Sequence, residues 1–167
     1  MKKNIILVGM PACGKSVIGV VLAKTIQKKF LDTDLIIQER ENLPLQEIIN
    51  NEGNDYFKKA EEEVLSTLNT ENTVIATGGS AIYYSGAMEY LKKNGQVIYL
   101  KVSLKTIKGR LHNIKTRGVT LGKGETIDGL YQRRIPLYEK YADITIETEN
   151  LTVEESVTKI VNTINPK

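Results

Sequence analysis

The feature that most constrains this chain is the octapeptide Gly9-Met10-Pro11-Ala12-Cys13-Gly14-Lys15-Ser16, which fits GxxxxGK[ST] and follows the run Asn4-Ile5-Ile6-Leu7-Val8. A strand, a phosphate-cradling loop and a helix are the expected local structure. Gly9 and Gly14 let the backbone turn so that successive N–H groups face an anion, and the new helix adds the positive end of its dipole. Lys15 would reach the β- and γ-phosphates of a nucleotide, and the Ser16 hydroxyl would ligate Mg²⁺. The plain alternative is a glycine turn that happens to carry a lysine. Chance produces the four fixed positions in well under about one chain of this length in twenty, and the flanking strand and helix lower those odds further. Gly9, Ala12, Cys13, Gly14, Lys15, Ser16 and Val17 are therefore the candidate ATP-binding residues of the loop and helix start.

A chain of 167 residues with 41% hydrophobic and 26% charged positions has room for one domain with a real core, spanning 1–167. No apolar run approaches a membrane span. The start, Met1-Lys2-Lys3, leads into a strand without the apolar core of a signal peptide, so a cytoplasmic location is expected. Cys13 is the single cysteine and excludes an intrachain disulfide, in keeping with a reducing compartment. In the loop it is either a small residue filling a tight turn or a thiol of lowered pKa at a helix N-terminus. A net charge of +3 without a polybasic block gives no reason to invoke nucleic acid or membrane partners.

Along the chain, Val17 to Ile26 is apolar on more than one face and predicts a helix well buried against a sheet. Phe30-Leu31 forms a short strand ending in Asp32-Thr33-Asp34, where a helix restarts. Two aspartates thus stand at the strand edge where open α/β sheets bind ligands, although capping alone accounts for one of them. Helices from Pro44 to Gly53 and from Tyr56 to Leu68 would form a flap beside the site, covering approximately 33–69 with the helix before them. Thr73-Val74-Ile75-Ala76-Thr77 reads as a buried strand running into Gly78-Gly79-Ser80, where paired glycines permit close approach of backbone to a ligand or simply make a turn. The strand Gln96 to Val102 and a helical stripe of Leu104, Ile107 and Leu111 follow, with Arg110 on a different face. Between 113 and 126 the pattern breaks into glycines among Lys115, Arg117 and Lys123, which suggests a cationic lid able to close over phosphates, or an ordinary surface loop. A helix through Leu130 to Tyr138 holds Arg133 and Arg134, Asp143 to Ile146 is the last strand, and Thr152 with Glu155 reads as a capping box. Five strands alternating with helices predict a three-layer α/β/α fold around a parallel sheet.

Over nearly its whole length, from Ile5 to about Ile164, the chain resembles the shikimate kinases of the nucleoside monophosphate kinase-like P-loop branch. Beyond the P-loop, the resemblance rests on Asp32-Thr33-Asp34, on Gly53 to Glu61 with its Phe57-Lys58, on Thr77-Gly78-Gly79-Ser80, and on Arg134-Ile135-Pro136-Leu137-Tyr138-Glu139. It implies the strand order 2-3-1-4-5 and an ATP-dependent, magnesium-assisted kinase of a small hydroxylated carboxylate, with shikimate yielding shikimate 3-phosphate. It further implies that Lys15, Asp34 and Arg117 are catalytic and that Asp32 sits with Ser16 near the metal. Arg110 and Arg117 would join the ATP site. Asp34, Lys58, Glu61, Gly78, Gly79, Ser80 and Arg134 would bind the acceptor.

Three positions depart from the family pattern: Lys58 replaces an arginine, Ser80 a third glycine, and Arg117-Gly118-Val119 the usual lid sequence. An ammonium lacks the planar two-point contact of a guanidinium. A kinase of another polyol, hydroxy acid or nucleoside phosphate remains the alternative. A non-catalytic nucleotide module is the more distant one, and the absence of Asn-Lys-x-Asp disfavours a GTPase-type switch. A monomer is expected.

Overall fold

Five parallel strands lie in the order β2-β3-β1-β4-β5, as the resemblance implies. The computed structural model describes residues 4–112, 121 and 123–165. The strands are β1 (Asn4–Val8), β2 (Lys29–Asp32), β3 (Thr73–Ala76), β4 (Gly95–Lys101) and β5 (Ile144–Glu147). Between and after them run α1 (Lys15–Thr25), α2 (Thr33–Glu41), α3 (Leu45–Glu52), α4 (Asn54–Thr67), α5 (Ser85–Asn94), α6 (Leu104–His112), α7 (Ile127–Tyr141) and α8 (Val153–Ile164), with one 3₁₀ turn at Ala81–Tyr83.

Parallel pairing requires a crossover between neighbouring strands, so helices cover the sheet and β1 and β3 are buried at every residue. The register matters for the site. Leu7 lies opposite Ala76, and Asp32 lies opposite Ala76 from the other side. The segments that leave β1, β2 and β3 at their carboxyl ends therefore emerge at one edge: the phosphate loop, the Asp32-Thr33-Asp34 turn and Thr77-Gly78-Gly79.

The main core gathers around the sheet. A second, smaller cluster of Ile37, Ile48, Phe57 and Val64 ties α2, α3 and α4 to one another. The flap thus carries an apolar centre of its own, which keeps its inner residues in fixed relation while it borders the cavity. Tyr138 is fully buried, stacks on Tyr99 with ring centroids 5.1 Å apart, and donates from its hydroxyl to the Gly79 carbonyl at 2.7 Å. α7 is thereby pinned to the loop after β3. No helix among the described residues is long and apolar enough to cross a membrane.

Several sequence expectations needed adjustment. α1 buries Ile18, Leu22 and Ala23, but Val17 and Val20 are about half exposed, at 53% and 50%. A helix packed on one sheet face cannot bury its whole circumference, however apolar it is. α7 begins at Ile127, earlier than the apolar pattern suggested, because the Thr126 side chain caps it by accepting from Gly129 N. Pro136 lies inside α7, where it removes one helical donor without ending the helix. At α8 the expected capping box is present in full, with Thr152 and Glu155 bonded reciprocally. Of the 113–126 segment, residue 121 and residues 123–126 fall within the described part; Arg117, Gly118 and Val119 lie outside the described residues.

Candidate active site

The phosphate loop leaves β1 and re-enters a helix at Gly14, whose φ of 100° is left-handed and open to glycine without strain. No side chain caps α1, so the loop end of the helix is left for a ligand. Lys15 is buried and folds back over its own loop. Its Nζ donates to the Gly9 carbonyl at 2.7 Å and the Met10 carbonyl at 2.9 Å, and lies 3.7 Å from Cys13 Sγ. Two neutral carbonyls are weaker partners for an ammonium than a polyphosphate, so an incoming anion takes over the charge without a desolvated lysine having to be created. Cys13 is buried beneath the turn, its sulfur 2.8 Å from where a Cβ on Gly9 would lie.

Ser16 and Asp32 form a pair: the Ser16 hydroxyl donates to Asp32 Oδ2 at 2.6 Å. Asp32 Oδ1 accepts from Asp34 N at 3.0 Å and caps α2. The capping reading is thus met by Asp32 Oδ1, while Oδ2 is engaged by Ser16. Asp34 sits in the first turn of α2 and lines the cavity. A hydroxyl and a carboxylate side by side at the phosphate loop are hard oxygen donors suited to Mg²⁺, which takes few protein ligands and completes its shell with phosphate oxygens and water. No cluster of three His, Cys, Asp or Glu side chains is found among the described residues, and such a magnesium site needs none.

A cavity of about 280 Å³ joins this donor end to the flap. Its walls include Lys15 and Ser16 from the loop, Asp34 from α2, Phe57 and Glu61 from α4, and Gly78, Gly79 and Ser80 after β3. The glycines there are close approaches: a Cβ on Gly78 would collide with Glu61 Oε1 and lie 3.1 Å from Asp34 Oδ1, and one on Gly79 would lie 2.8 Å from Arg134 Nη1. Lys58 and Arg134 line a neighbouring cavity, and Ser80 is a wall of both. The predicted acceptor residues are therefore grouped, but in two adjoining compartments. On the opposite side of the loop a third cavity takes in Ala12, Cys13, Gly14, Ser16, Val17 and Arg110, with Arg110 Nη1 donating to the Ala12 carbonyl at 3.0 Å.

Glu61 has the most unusual environment. It is 1% exposed; Oε2 accepts from the Ser80 hydroxyl at 2.6 Å and the Tyr84 hydroxyl at 2.8 Å, while Oε1 finds no partner among the described residues. Burial pushes its carboxyl up from the ordinary carboxylate range, opposed by those two hydrogen bonds and by the Arg134 charge. Tyr84, in turn, is pushed up by its own burial and by Glu61. Arg134 is 2% exposed, and its Nε donates to the Tyr83 hydroxyl at 3.3 Å.

Tyr83, Tyr84, Thr148, Leu151 and Val153 border these cavities and were not singled out from the sequence. The last three follow the carboxyl end of β5, so the rule that ligands sit at that sheet edge could have found them. Nothing in the local sequence marks the two tyrosines.

The family profile described as shikimate kinase matches residues 11–165. A shikimate kinase of Sulfurihydrogenibium sp. is 37% identical over 163 residues, covering 95% of this chain and 98% of that protein. Among solved structures, a shikimate kinase from Acinetobacter baumannii in complex with shikimate superposes with a TM-score of 0.90 at 32% identity, covering 97% of this chain and 92% of the other. The shikimate kinase of Aquifex aeolicus gives 0.84 at 31% identity, covering 96% and 95%.

Proposed function

The chain belongs to the shikimate kinase family, and from that premise we propose how its own residues carry out the ATP-dependent phosphorylation of shikimate. The observation that carries the assignment of roles is the single cavity in which Lys15 and Ser16 of the phosphate loop meet Asp34, Glu61 and Gly78 to Ser80. ATP lies with its triphosphate on the loop and its nucleoside toward Arg110 and Val17. Lys15 exchanges the Gly9 and Met10 carbonyls for phosphate oxygens. Ser16 and Asp32 would hold Mg²⁺, and the chemistry it would supply when bound is neutralisation of phosphate charge.

Asp34 orients the acceptor hydroxyl and receives its proton. The hydroxyl oxygen bonds to the γ-phosphorus, the bond from that phosphorus to the β–γ bridging oxygen breaks, and ADP leaves with the electron pair. Gly78 and Gly79 form the backbone wall assigned to the acceptor, and their missing side chains leave room for Glu61 and Arg134 behind it. Arg134 and Lys58 take the acceptor carboxylate, and Glu61 braces the wall between the compartments through Ser80. Arg117 is assigned to the transferring phosphoryl group from the 113–126 lid. Positioning and charge stabilisation supply most of the rate in such a transfer.

Residues 1–167 act as one kinase domain with 33–69 as its acceptor-binding helices. A monomer in a cytoplasmic setting remains the reading, and the buried lone cysteine is in keeping with a reducing compartment. Asp34→Asn tests the assignment, because it keeps the shape and removes the proton acceptor. Shikimate-dependent ADP release should fall by at least about 100-fold with ATP affinity retained; turnover at the wild-type rate would remove Asp34 from the chemistry.

A further inference from the structure

Lys58 is exposed and makes no hydrogen bond or ion pair among the described residues. It also cannot offer a carboxylate the planar fork of a guanidinium. The cavity it lines nevertheless contains two guanidinium groups, from Arg133 and Arg134. Consecutive residues on a helix point about 100° apart, so neighbouring arginines converge only when something gathers them.

Tyr83, at the end of the 3₁₀ turn, does so. Its phenol oxygen accepts from Arg133 Nε at 2.9 Å and Arg134 Nε at 3.3 Å. The two guanidinium carbons lie 5.5 Å and 5.4 Å from its ring centroid. Glu125 fixes the far end of Arg133 through an ion pair of 2.5 Å to Nη2. Arg133 is thus held at Nε and at Nη2, with Nη1 left to donate. Three cations, Lys58, Arg133 and Arg134, line this cavity with one carboxylate, the half-buried Glu125, and the surplus positive charge suits an anion.

We propose that Arg133 is a second guanidinium of the acceptor-carboxylate site, and that Tyr83 is the positioning residue that aligns it with Arg134. Arg133 supplies the directed contact that Lys58 does not. This assignment rests on the reading that the acceptor carboxylate binds beside Lys58 and Arg134.

Steady-state kinetics at saturating ATP test it, with shikimate and with its carboxamide analogue as acceptors. For the wild type, the uncharged amide should show a KM well above that of shikimate. Arg133→Gln should raise the shikimate KM about tenfold, as expected for loss of one charged hydrogen bond, with kcat and the amide KM unchanged. Arg133→Lys, which keeps the charge without an Nη1 donor held in place by Tyr83 and Glu125, should recover part of the loss. Tyr83→Phe should raise the shikimate KM with kcat unchanged, because the ring stays and the shared acceptor oxygen goes. Arg133 is exposed on α7, so its replacement spares the core. A shikimate KM within twofold of wild type in Arg133→Gln, or an equal rise for shikimate and amide, would overturn the proposal. A wild type that does not distinguish the amide from shikimate would instead overturn the carboxylate reading beneath it.

Discussion

Replacing Glu61 by Gln should change how stability depends on pH. The Glu61 carboxyl is 1% exposed and its Oε1 lacks a partner among the described residues, so ionising it in the fold is costly. Its pKa in the native protein is raised by burial, whereas in the unfolded chain it titrates near the ordinary ~4.3. Above that value the native state holds a proton that the unfolded state has released. Stability contributed by the neutral carboxyl is fully present below pH ~4.3 and is lost as pH rises toward the native pKa, by up to about 1.4 kcal/mol per pH unit. Gln mimics the neutral acid: its oxygen accepts from Ser80 and Tyr84, and its amide nitrogen takes the position of Oε1 beside Gly78 and Asp34.

Urea denaturation of both proteins from about pH 4 to pH 8 isolates this group, since all other titrations cancel in the difference. Glu61→Gln should gain on the wild type as pH rises above about 4.3 and stop gaining once the native carboxyl ionises. One full unit of the window corresponds to about 1.4 kcal/mol, or a few degrees in Tm for a domain of this size. A difference independent of pH, or a variant that loses ground as pH rises, would refute the raised pKa of the buried Glu61.

Ser16→Ala removes the hydroxyl that donates to Asp32 Oδ2 at 2.6 Å; the Mg²⁺ concentration for half-maximal activity should rise about tenfold or more in a magnesium titration. Lys58→Arg introduces a fork into the cavity that Arg134 already lines; the shikimate KM should fall a few-fold with kcat little changed. Gly79→Ala places a Cβ 2.8 Å from Arg134 Nη1 and 2.9 Å from Pro11 Cδ; kcat/KM for shikimate should drop by at least about tenfold because Arg134 is tethered to Tyr83 at Nε and the proline ring is rigid.

The donor side was legible in the sequence because its chemistry is local. Gly9 to Ser16 encode the turn and the helix start that no side chain caps within eight consecutive residues, and Asp32 and Asp34 follow at a strand end. The capping box at Thr152 and Glu155 was legible for the same reason. The strand order came from the family resemblance, since alternating strands and helices are compatible with more than one order.

The acceptor side is assembled from residues far apart in the chain. Glu61 meets Ser80 and Tyr84, and Tyr83 meets Arg133 and Arg134 some fifty positions away. No periodicity reports such pairings. The resting position of Lys15, turned onto the Gly9 and Met10 carbonyls, was likewise invisible, because it depends on the loop's own carbonyls. Exposure of Val17 and Val20 was missed because the apolar run says how many faces could be buried, not how many the sheet covers.

The most direct measurement is ADP release by the purified protein with ATP and Mg²⁺, in the presence and absence of shikimate, with the acceptor product followed by mass spectrometry. Shikimate should accelerate ADP release far above the water background and gain one phosphoryl group for each ADP formed. ADP release that shikimate does not stimulate, with no phosphorylated shikimate detected, would contradict the assignment.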